Sequence, residues 1–515
     1  MKYAVTGKQM KEIDQDTIQR IGIPSVVLME RAALAVADTA DRLAKERGFG
    51  QESARFAAVC GTGNNGADGI AAGRILWGRG YKVTIFLAGN PKQGTEEYKL
   101  QRRVAQELKI PVRPAAELEL QGGEIVLDAL FGIGLARDVE GEYKTLVEKM
   151  AKRQDTDVVA VDIPSGIHAD TGAVMGTAVR ATVTVTFGYV KTGILLYPGR
   201  EYAGQISAED IGFFDCSRER AGWDAAVLEK EDLKLLPKRP PDSNKGTFGK
   251  LLVIAGSAGM SGAAYLSALA AYRMGAGLVK ILTTPENRTV LQTQLPEAIV
   301  AALEIPEARQ VIKRQCEWAS AIVIGPGLGQ ALYIENLLET VLSSARVPVV
   351  IDADGLNAIA RTPRLTKYFA DRVIVTPHMG EMARLTCRTI EELKADRMRA
   401  AREYAAHTGA VCVLKDSSTV IADREGRAWI NASGCSAMAK GGSGDVLSGA
   451  IGGLLAQGMD RTEAAVWGVY LHGLAGEKAA REKGEYAVLA RELAEGLDWP
   501  AVEQRESGGR QTEIG

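Results

Sequence analysis

Residues 434–449 read GCSAMAKGGSGDVLSG and run on into the apolar segment 450–457. Gly441, Gly442 and Gly444 remove side chains where the backbone must turn and approach something closely. Val446, Leu447, Ile451, Leu454 and Leu455 then recur at helical spacing. The loop is therefore expected to open a helix. N–H groups at such a start lack partners and carry the positive end of the helix dipole, which suits a phosphoryl group in transfer. Asp445 stands at the mouth of that anion hole. A carboxylate beside an anion site is unfavourable unless it has a task, and removing the proton from an attacking hydroxyl is one. The other reading makes Asp445 the N-cap and the glycines a tight turn. From this stretch alone the two weigh about equally.

Composition narrows the function classes. A chain of 515 residues is too long for one core, so two or three domains are expected. A net charge of −2 leaves no basic excess for nucleic acid, and a hydrophobic content of 46% is that of a well-packed globule. Cys60, Cys216, Cys316, Cys387, Cys412 and Cys435 are scattered and histidines are few, which argues against a disulfide framework or a zinc site. Reduced thiols in a cytoplasm fit best. The start, MKYAVTGKQMKEID, has no apolar signal core, and no apolar run reaches the ~18 residues of a membrane span. A soluble, untargeted protein is expected.

Taken in order, Met10, Ile13, Thr17, Ile18 and Ile21 give one helical face, Gly22 and Pro24 break it, and 26–43 form a second helix. RFAAVCG (55–61) is an apolar strand ending in the polar loop TGNNGADG (62–69), with a helix over 70–77. Strand, glycine-rich turn and helix begin a parallel α/β unit, whose ligands lie at the carboxyl ends of strands. Strands over 82–87, 125–131, 158–163 and 182–187, with helices over 96–108 and 143–152, extend it into a Rossmann-like sheet. Three strand ends carry polar residues that packing does not require: Asn64, Asn65 and Asp68; Asp128 with GIGLARD (132–138); and DIPSG (162–166). Such oxygens at one sheet edge can ligate a hard cation, bind ribose hydroxyls or move protons, although a lone Asp at a strand end is commonly a turn former.

Between 215 and 247 the pattern lapses into charged, Pro-rich sequence including LPKRPPDSNKG, which reads as a linker with a boundary near Gly222. A second α/β alternation follows, from KLLVIAG (250–256) and SAGMSGAA (257–264) into a helix over 265–275, with strands over 278–282, 321–324, 349–352 and 373–376. GPGLG (325–329) is expected to end a strand and open a helix with free N–H groups. DADGLN (352–357) and TPHMGE (376–381) put acidic, amide and imidazole groups at strand ends, though His378 taken alone reads as an ordinary polar loop residue. VLKDSSTVIA (413–422) places Lys415 between two strands, suited to nucleotide phosphates or else a hairpin with a solvated lysine. Together these turns suggest phosphoryl transfer to or from a nucleotide.

On these motifs, in this order and spacing, the chain resembles the bifunctional NAD(P)H-hydrate repair family over nearly its whole length. NNGADG, VLDALFGIGLARD, VDIPSG and FGYVKTGILLYPG carry the resemblance in the first half. KGTFGKLLVIAGSAGMSGAA, GPGLG, DADGLN, TPHMGE and MAKGGSGDVLSG carry it in the second. The resemblance implies an epimerase of hydrated cofactor over 1–222, a Rossmann-like three-layer α/β domain, and over 223–505 an ADP- or ATP-dependent dehydratase of ribokinase-like α/β fold. Asn64, Asn65, Gly66, Ala67 and Asp68, with Gly132, Ile133, Gly134, Leu135, Ala136, Arg137, Asp138 and Asp162, would hold the hydrate in the epimerase. Asn65, Asp128 and Ser165 would bind a potassium ion. Ala263, Gly327, His378 and Asp445 would hold the hydrate in the dehydratase, and Lys415, Asp416, Ser417, Ser418, Thr419 and Gly444 the nucleotide, with Mg2+. The implied substrates are NADHX and NADPHX with ADP or ATP, in a cytoplasmic homo-oligomer without nucleic-acid or membrane partners. Four positions depart from the family pattern: Ala67 for glycine, Arg31 for asparagine, Asn244 for histidine and Asp416 for glycine. A carboxylate at 416 near phosphates would weaken nucleotide binding or change which nucleotide is preferred.

Within this reading Asp445 is the base of the dehydratase and Asp162 the proton relay of the epimerase. Lys191 either assists Asp162 or is a surface lysine at a strand end. Two other classes stay open: a small-molecule kinase sharing Asp445 and the anion hole, and a first half that binds without catalysis.

Overall fold

The computed structural model describes residues 1–152, 156–303, 308–369 and 371–498, so 499–505 of the expected second domain lie outside the described residues. Residue contacts separate Tyr3–Ala226 from a second unit, Val227–Gly515 with Met1–Lys2. Both units are α/β, as expected.

The first unit is built on seven parallel strands: β1 Arg55–Cys60, β2 Lys82–Leu87, β3 Val112–Pro114, β4 Glu124–Ala129, β5 Asp157–Val161, β6 Val183–Phe187 and β7 Gln205–Glu209. Their order is β3-β2-β1-β4-β5-β6-β7, every neighbouring pair parallel. Direction reverses at β1 and β4, and the crevice beyond those two strands is where a doubly wound sheet binds ligands. Of the helices, α1 spans Gly7–Gln15, α2 Ser25–Glu46, α3 Asn64–Gly78, α4 Glu96–Glu107 and α5 Gly141–Ala151. β4 is buried at every residue, which is why it reads as an apolar run with Glu124 at its start and Asp128 near its end the exceptions.

Two local expectations are corrected. The single helix expected over Met10 to Ile21 is α1 followed by a π-helical turn, Asp16–Ile21, because the buried Thr17 turns its hydroxyl onto the Ile13 carbonyl (2.8 Å) and disturbs the ladder. The polar stretch expected as a loop before residue 70 is the opening of α3 itself. Its glycines do not break the helix; they let it touch the sheet. A Cβ on Gly66 would lie 1.8 Å from the Gly61 carbonyl oxygen, and one on Gly69 would lie 2.3 Å from Ala129 Cβ.

Among the described residues the sheet of the second unit is built on β8 Lys250–Ile254, β9 Leu278–Thr283, β10 Ile299–Ala302, β11 Ala321–Ile324, β12 Val349–Ile351, β13 Val373–Val375, β14 Val411–Leu414, β15 Val420–Ala422 and β16 Ala428–Ile430. They run β10-β9-β8-β11-β12-β13-β14-β15-β16, parallel from β10 to β14 and antiparallel thereafter. The helices used below are α6 Ser261–Arg273, α7 Tyr333–Ser344, α8 Asp354–Arg361, α9 Met379–Thr386, α10 Arg397–Thr408, α11 Ser443–Ala456 and α12 Arg461–Lys483. GPGLG does not open a helix: α7 starts only at Tyr333, and the Gly329 N–H is taken by Asp354 Oδ2 at 2.8 Å. Much of the expected linker is ordered as the helix Asp215–Ala221, the strand Ala225–Val227 and a 3-10 turn Lys230–Leu235.

The glycine loop opens α11 as expected, and α11 is buried from Val446 to Ala456. Glycines again set its position: a Cβ on Gly449 would lie 2.1 Å from the Ser267 carbonyl oxygen of α6, and one on Gly452 would lie 2.4 Å from Val323 Cγ2 of β11. This close approach fixes where the first turn of α11, with Asp445, stands over the sheet. Gly449→Ala is therefore expected to destabilise the unit by about 1–3 kcal/mol through overpacking. Gly262→Ala, on α6 with nothing within 4 Å of the added methyl, is expected to be neutral or slightly stabilising. Urea unfolding of the two variants side by side checks the contrast.

Candidate functional site

In the first unit the three polar strand ends meet at the switch point. The Asp128 carboxylate, fully buried at the end of β4, accepts from Ser165 N (2.8 Å) and Ser165 Oγ (2.6 Å). Ser165 Oγ in turn accepts from Phe131 N (3.0 Å), which ties the loop after β5 to the loop after β4. Asn65, on the opening turn of α3, faces the same place: a Cβ on Gly132 would lie 3.2 Å from Asn65 Oδ1. The Asn65 amide nitrogen is buried without a hydrogen-bond partner among the described residues. Burial pushes the Asp128 carboxyl up to about 6, partly offset by the Ser165 hydrogen bonds.

Asp162 follows β5 with a left-handed φ of +68°, a conformation a non-glycine residue holds only where its surroundings impose it. Its N–H donates to the Val185 carbonyl (2.8 Å), and its side chain is held by Lys191, whose ammonium donates to Asp162 Oδ1 (2.6 Å), Thr186 Oγ1 (3.0 Å) and the Phe187 carbonyl (3.0 Å). Thr186 Oγ1 also donates to Asp162 Oδ1 (3.1 Å). Lys191 is thus 1% exposed, which removes the surface-lysine reading. Asp68 is coupled electrostatically to Asp162, Asp14 and Glu97, and burial together with these carboxylates holds its pKa well above the usual range. Ala67 is fully buried in the core. In the loop after β4, Leu135 is buried while Gly134, Ala136, Arg137 and Asp138 are exposed.

In the second unit the loops after β8, β11, β12, β13 and β14 converge with the start of α11. Ser257 Oγ donates to the Gly327 carbonyl (2.9 Å), and a Cβ on Gly327 would lie 2.8 Å from Ala263 Cβ. His378 is the N-cap of α9: its ring nitrogen accepts from Gly380 N (3.0 Å), while Glu381 accepts from His378 N (2.9 Å) in a capping box. Burial, then Lys415 and Arg384, lower the His378 pKa. Lys415 continues β14, its N–H donating to the Pro377 carbonyl (2.8 Å). The hairpin is present, yet Lys415 is not the solvated lysine of one reading. Its ammonium donates to Asp352 Oδ1 (2.7 Å), and the Asp352 side chain is only 1% exposed. Ser448 Oγ of α11 donates to Asp352 Oδ2 (2.5 Å).

Asp445 lies in the first turn of α11, but the N-cap is Gly442 (φ +93°), so the capping reading of Asp445 is set aside. The N–H groups of Gly444 and Asp445 find no acceptor among the described residues. Burial, followed by the Asp352 charge, raises the Asp445 pKa to about 7 against the pull of Lys415. Asp416 does not stand as a free charge: Oδ2 accepts from Arg397 Nε of α10 at 2.8 Å. Ser417 is exposed, and Ser418 and Thr419 are buried further along the hairpin.

Four residues escaped the sequence reading: Asp14, Glu97, Ser448 and His472. The last is buried on α12, its Nε2 3.4 Å from Ser443 Oγ, with its pKa lowered by burial to about 4. Ser448 and His472 each interrupt an apolar helical run, a signal that was legible, since a buried polar group needs a partner. Asp14 and Glu97 carried no such mark.

Comparison with known proteins follows the same division. The family profile for NAD(P)H-hydrate dehydratase matches residues 251–498, and that of the YjeF-related protein N-terminus matches 25–193. The bifunctional NAD(P)H-hydrate repair enzyme of Thermofilum pendens is 38% identical, over 93% of this chain and 92% of its own. The enzyme of the same name from Moorella thermoacetica is 34% identical, over 96% of each. The crystal structure of ADP/ATP-dependent NAD(P)H-hydrate dehydratase from Bacillus subtilis, co-crystallised with ATP and Mg2+, is 36% identical with a TM-score of 0.47, covering 53% of this chain and 96% of that one.

A carboxyl that titrates near 7 in the fold and at its ordinary 3.8 in the unfolded chain binds more protons when folded. Its contribution to stability is present at low pH and is lost as pH rises towards 7. Relative to Asp445→Asn, the wild type is expected to lose stability steadily from about pH 4 to about pH 7 and no further above it. Urea unfolding of both proteins across that range measures the difference.

Proposed function

Since this chain belongs to the family of bifunctional NAD(P)H-hydrate repair enzymes, we propose that it returns hydrated NADH and NADPH to their active forms. Residues 1–222 interconvert the R and S hydrates. Residues 223–505, a ribokinase-like unit, dehydrate the S form with ADP or ATP, giving AMP and phosphate if ADP is used. The single observation that carries the second activity is Asp445 in the first turn of α11 beside N–H groups without acceptors. The Asp445 carboxylate takes the proton of the hydroxyl on C6 of the ring, and the oxygen attacks the terminal phosphorus of the nucleotide. The bond to the bridging oxygen breaks as the N–H groups of the loop stabilise the phosphoryl oxygens. The C6–O bond then breaks with the electron pair of the ring nitrogen, phosphate leaves, and loss of a proton from C5 restores the double bond.

Ala263, Gly327 and His378 hold the hydrate in this reading, and Lys415 to Thr419 with Gly444 hold the nucleotide, which brings Mg2+ to neutralise its phosphates. The Arg397–Asp416 ion pair supports this placing, because it removes the repulsion that a bare carboxylate would exert on phosphate. ADP is the preferred nucleotide on the family resemblance. The same resemblance implies a cytoplasmic homo-oligomer; the six cysteines are unpaired, and among the described residues no helix is long and apolar enough to cross a membrane.

In the first unit the ring nitrogen expels the C6 hydroxyl and water re-enters from either face, with Asp162 moving the proton and Asn64 to Asp68 and Gly132 to Asp138 holding the ligand. Asn65, Asp128 and Ser165 fit a potassium ion. A buried carboxylate, a serine hydroxyl and an amide face one another there, and no basic side chain is hydrogen-bonded to Asp128 among the described residues. Held by these three residues, a potassium ion would supply the positive charge that this carboxylate otherwise lacks.

Asp445→Asn keeps the size of the side chain but cannot accept a proton, so turnover of the S hydrate is expected to fall on the order of 10²-fold or more with nucleotide affinity retained. Near wild-type recovery of dihydronicotinamide absorbance in that variant would overturn the assignment. Asp162→Ala is expected to abolish exchange between the epimers while dehydration of the S form continues, read by chromatographic separation of the two hydrates. Replacing potassium by a bulky organic cation is expected to weaken binding of the hydrate to the epimerase, measured by titration calorimetry.

A further inference from the structure

Lys415 occupies an unusual place for a residue that holds phosphate. Its ammonium is already committed to the buried Asp352 at 2.7 Å, and Asp352 is clamped from its other oxygen by Ser448 of α11. The ammonium also stands against the first turn of α11: a Cβ on Gly444 would lie 3.4 Å from Lys415 Nζ and 3.7 Å from Asp352 Oδ2. A cation and an anion, each anchored, therefore flank the turn that carries Asp445. We propose that Lys415 and Asp352 form a positioning pair whose opposed charges set how readily Asp445 gives up its proton, a task separate from contact with the nucleotide. This rests on the reading of Asp445 as the base.

The charges facing Asp445 are few. Asp352 and Asp354, at the end of β12 and the start of α8, disfavour its ionised form, and Lys415 favours it. Lys415 is itself held charged by Asp352 and Glu381 against the opposing effect of burial. From α12 the facing group is His472, whose low pKa leaves it neutral above about 4. From α6 comes the Ser267 hydroxyl, which donates to the Asp445 carbonyl (3.0 Å) and carries no charge. His378 and Glu381, at the start of α9, couple to Lys415. The backbone reinforces the arrangement. Ala353, between Asp352 and α8, has a left-handed φ of +48°, and Gly325 accepts a φ of +127° where a Cβ would lie 1.8 Å from the Asp352 carbonyl oxygen. The strand end that presents Asp352 is thus held in a conformation the local sequence does not favour.

The pair can be read without substrate. The pH at which the stability difference between each background and its Asp445→Asn derivative levels off reports the titration of Asp445 in the fold. In Lys415→Met that pH is expected to rise by about one unit or more, and in Asp352→Asn to fall by a similar amount. The neutral double variant Lys415→Met/Asp352→Asn, which leaves no unpaired buried charge and so guards against misfolding of the single ones, is expected to lie between them. The acid limb of dehydration at saturating ADP is expected to move in the same two directions, with about fivefold less turnover at pH 7 for the first unit by which Lys415→Met raises it and about tenfold for each further unit. Equal levelling-off points in all backgrounds would overturn the proposal, as would a loss of ADP affinity in Lys415→Met with the points unmoved. If the wild type failed to dehydrate hydrated NADH at all, the functional reading would fall while the levelling-off points still decided this one.

Discussion

The Asp352 carboxylate is buried at the end of a central strand, and a charge in that position is tolerated only when it is paired and hydrogen-bonded. Its two partners come from two other parts of the chain, Lys415 after β14 and Ser448 in α11. Satisfying one carboxylate therefore fixes the relative placement of three elements and brings the glycine loop over the sheet edge. Loss of Lys415 would leave a buried charge uncompensated, at a cost of about 3–5 kcal/mol. The first unit solves the same problem with Asp162 and Lys191, which tie the end of β5 to the short strand Val190–Lys191. In both units a carboxylate at the carboxyl end of a parallel strand is anchored by a lysine that is distant in sequence.

The start of α11 combines two demands that oppose each other. Free N–H groups with the dipole behind them attract anions, whereas a base needs a carboxylate of its own in the same few ångströms. Burial raises the Asp445 pKa to about 7, so that near neutral pH the carboxyl divides between its two forms and repels an incoming phosphate less than a full charge would. A base matched to the working pH is also the most effective one. The same burial that makes the carboxylate costly thus makes it useful.

Most of the architecture was legible because parallel strands buried on both faces read as apolar runs, and RFAAVCG, KLLVIAG and the others stand out from their turns. The glycine loop opening α11 was legible because apolar residues at helical spacing follow its glycines. What could not be read was contact. That Gly66 sits on Gly61 rather than in a loop depends on the approach of α3 to the sheet, and no local pattern encodes it. The pairing of Lys415 with Asp352 joins residues 63 positions apart in sequence. GPGLG misled because its glycines serve close approach, Gly325 to Asp352 and Gly327 to Ala263, rather than a helix start, two uses of glycine that look alike in sequence.

The departures from the family pattern follow the same distinction. Ala67, where the family resemblance implies a glycine, lies in the opening turns of α3 with its methyl fully buried in the core, so it supplies helix propensity and apolar contact that a glycine would not. Asp416 looked more damaging, since a carboxylate in a hairpin suited to phosphates opposes that use. The Arg397 side chain, only 6% exposed, pairs with it from the first residue of α10. The hairpin therefore gains an anchor to α10 without gaining net charge, and the two positions must be read as one. Arg397 also donates to the Lys394 carbonyl (3.2 Å), so the ion pair ties the hairpin both to α10 and to the chain just before it, and the charge at 416 is committed to that anchor rather than presented to phosphate.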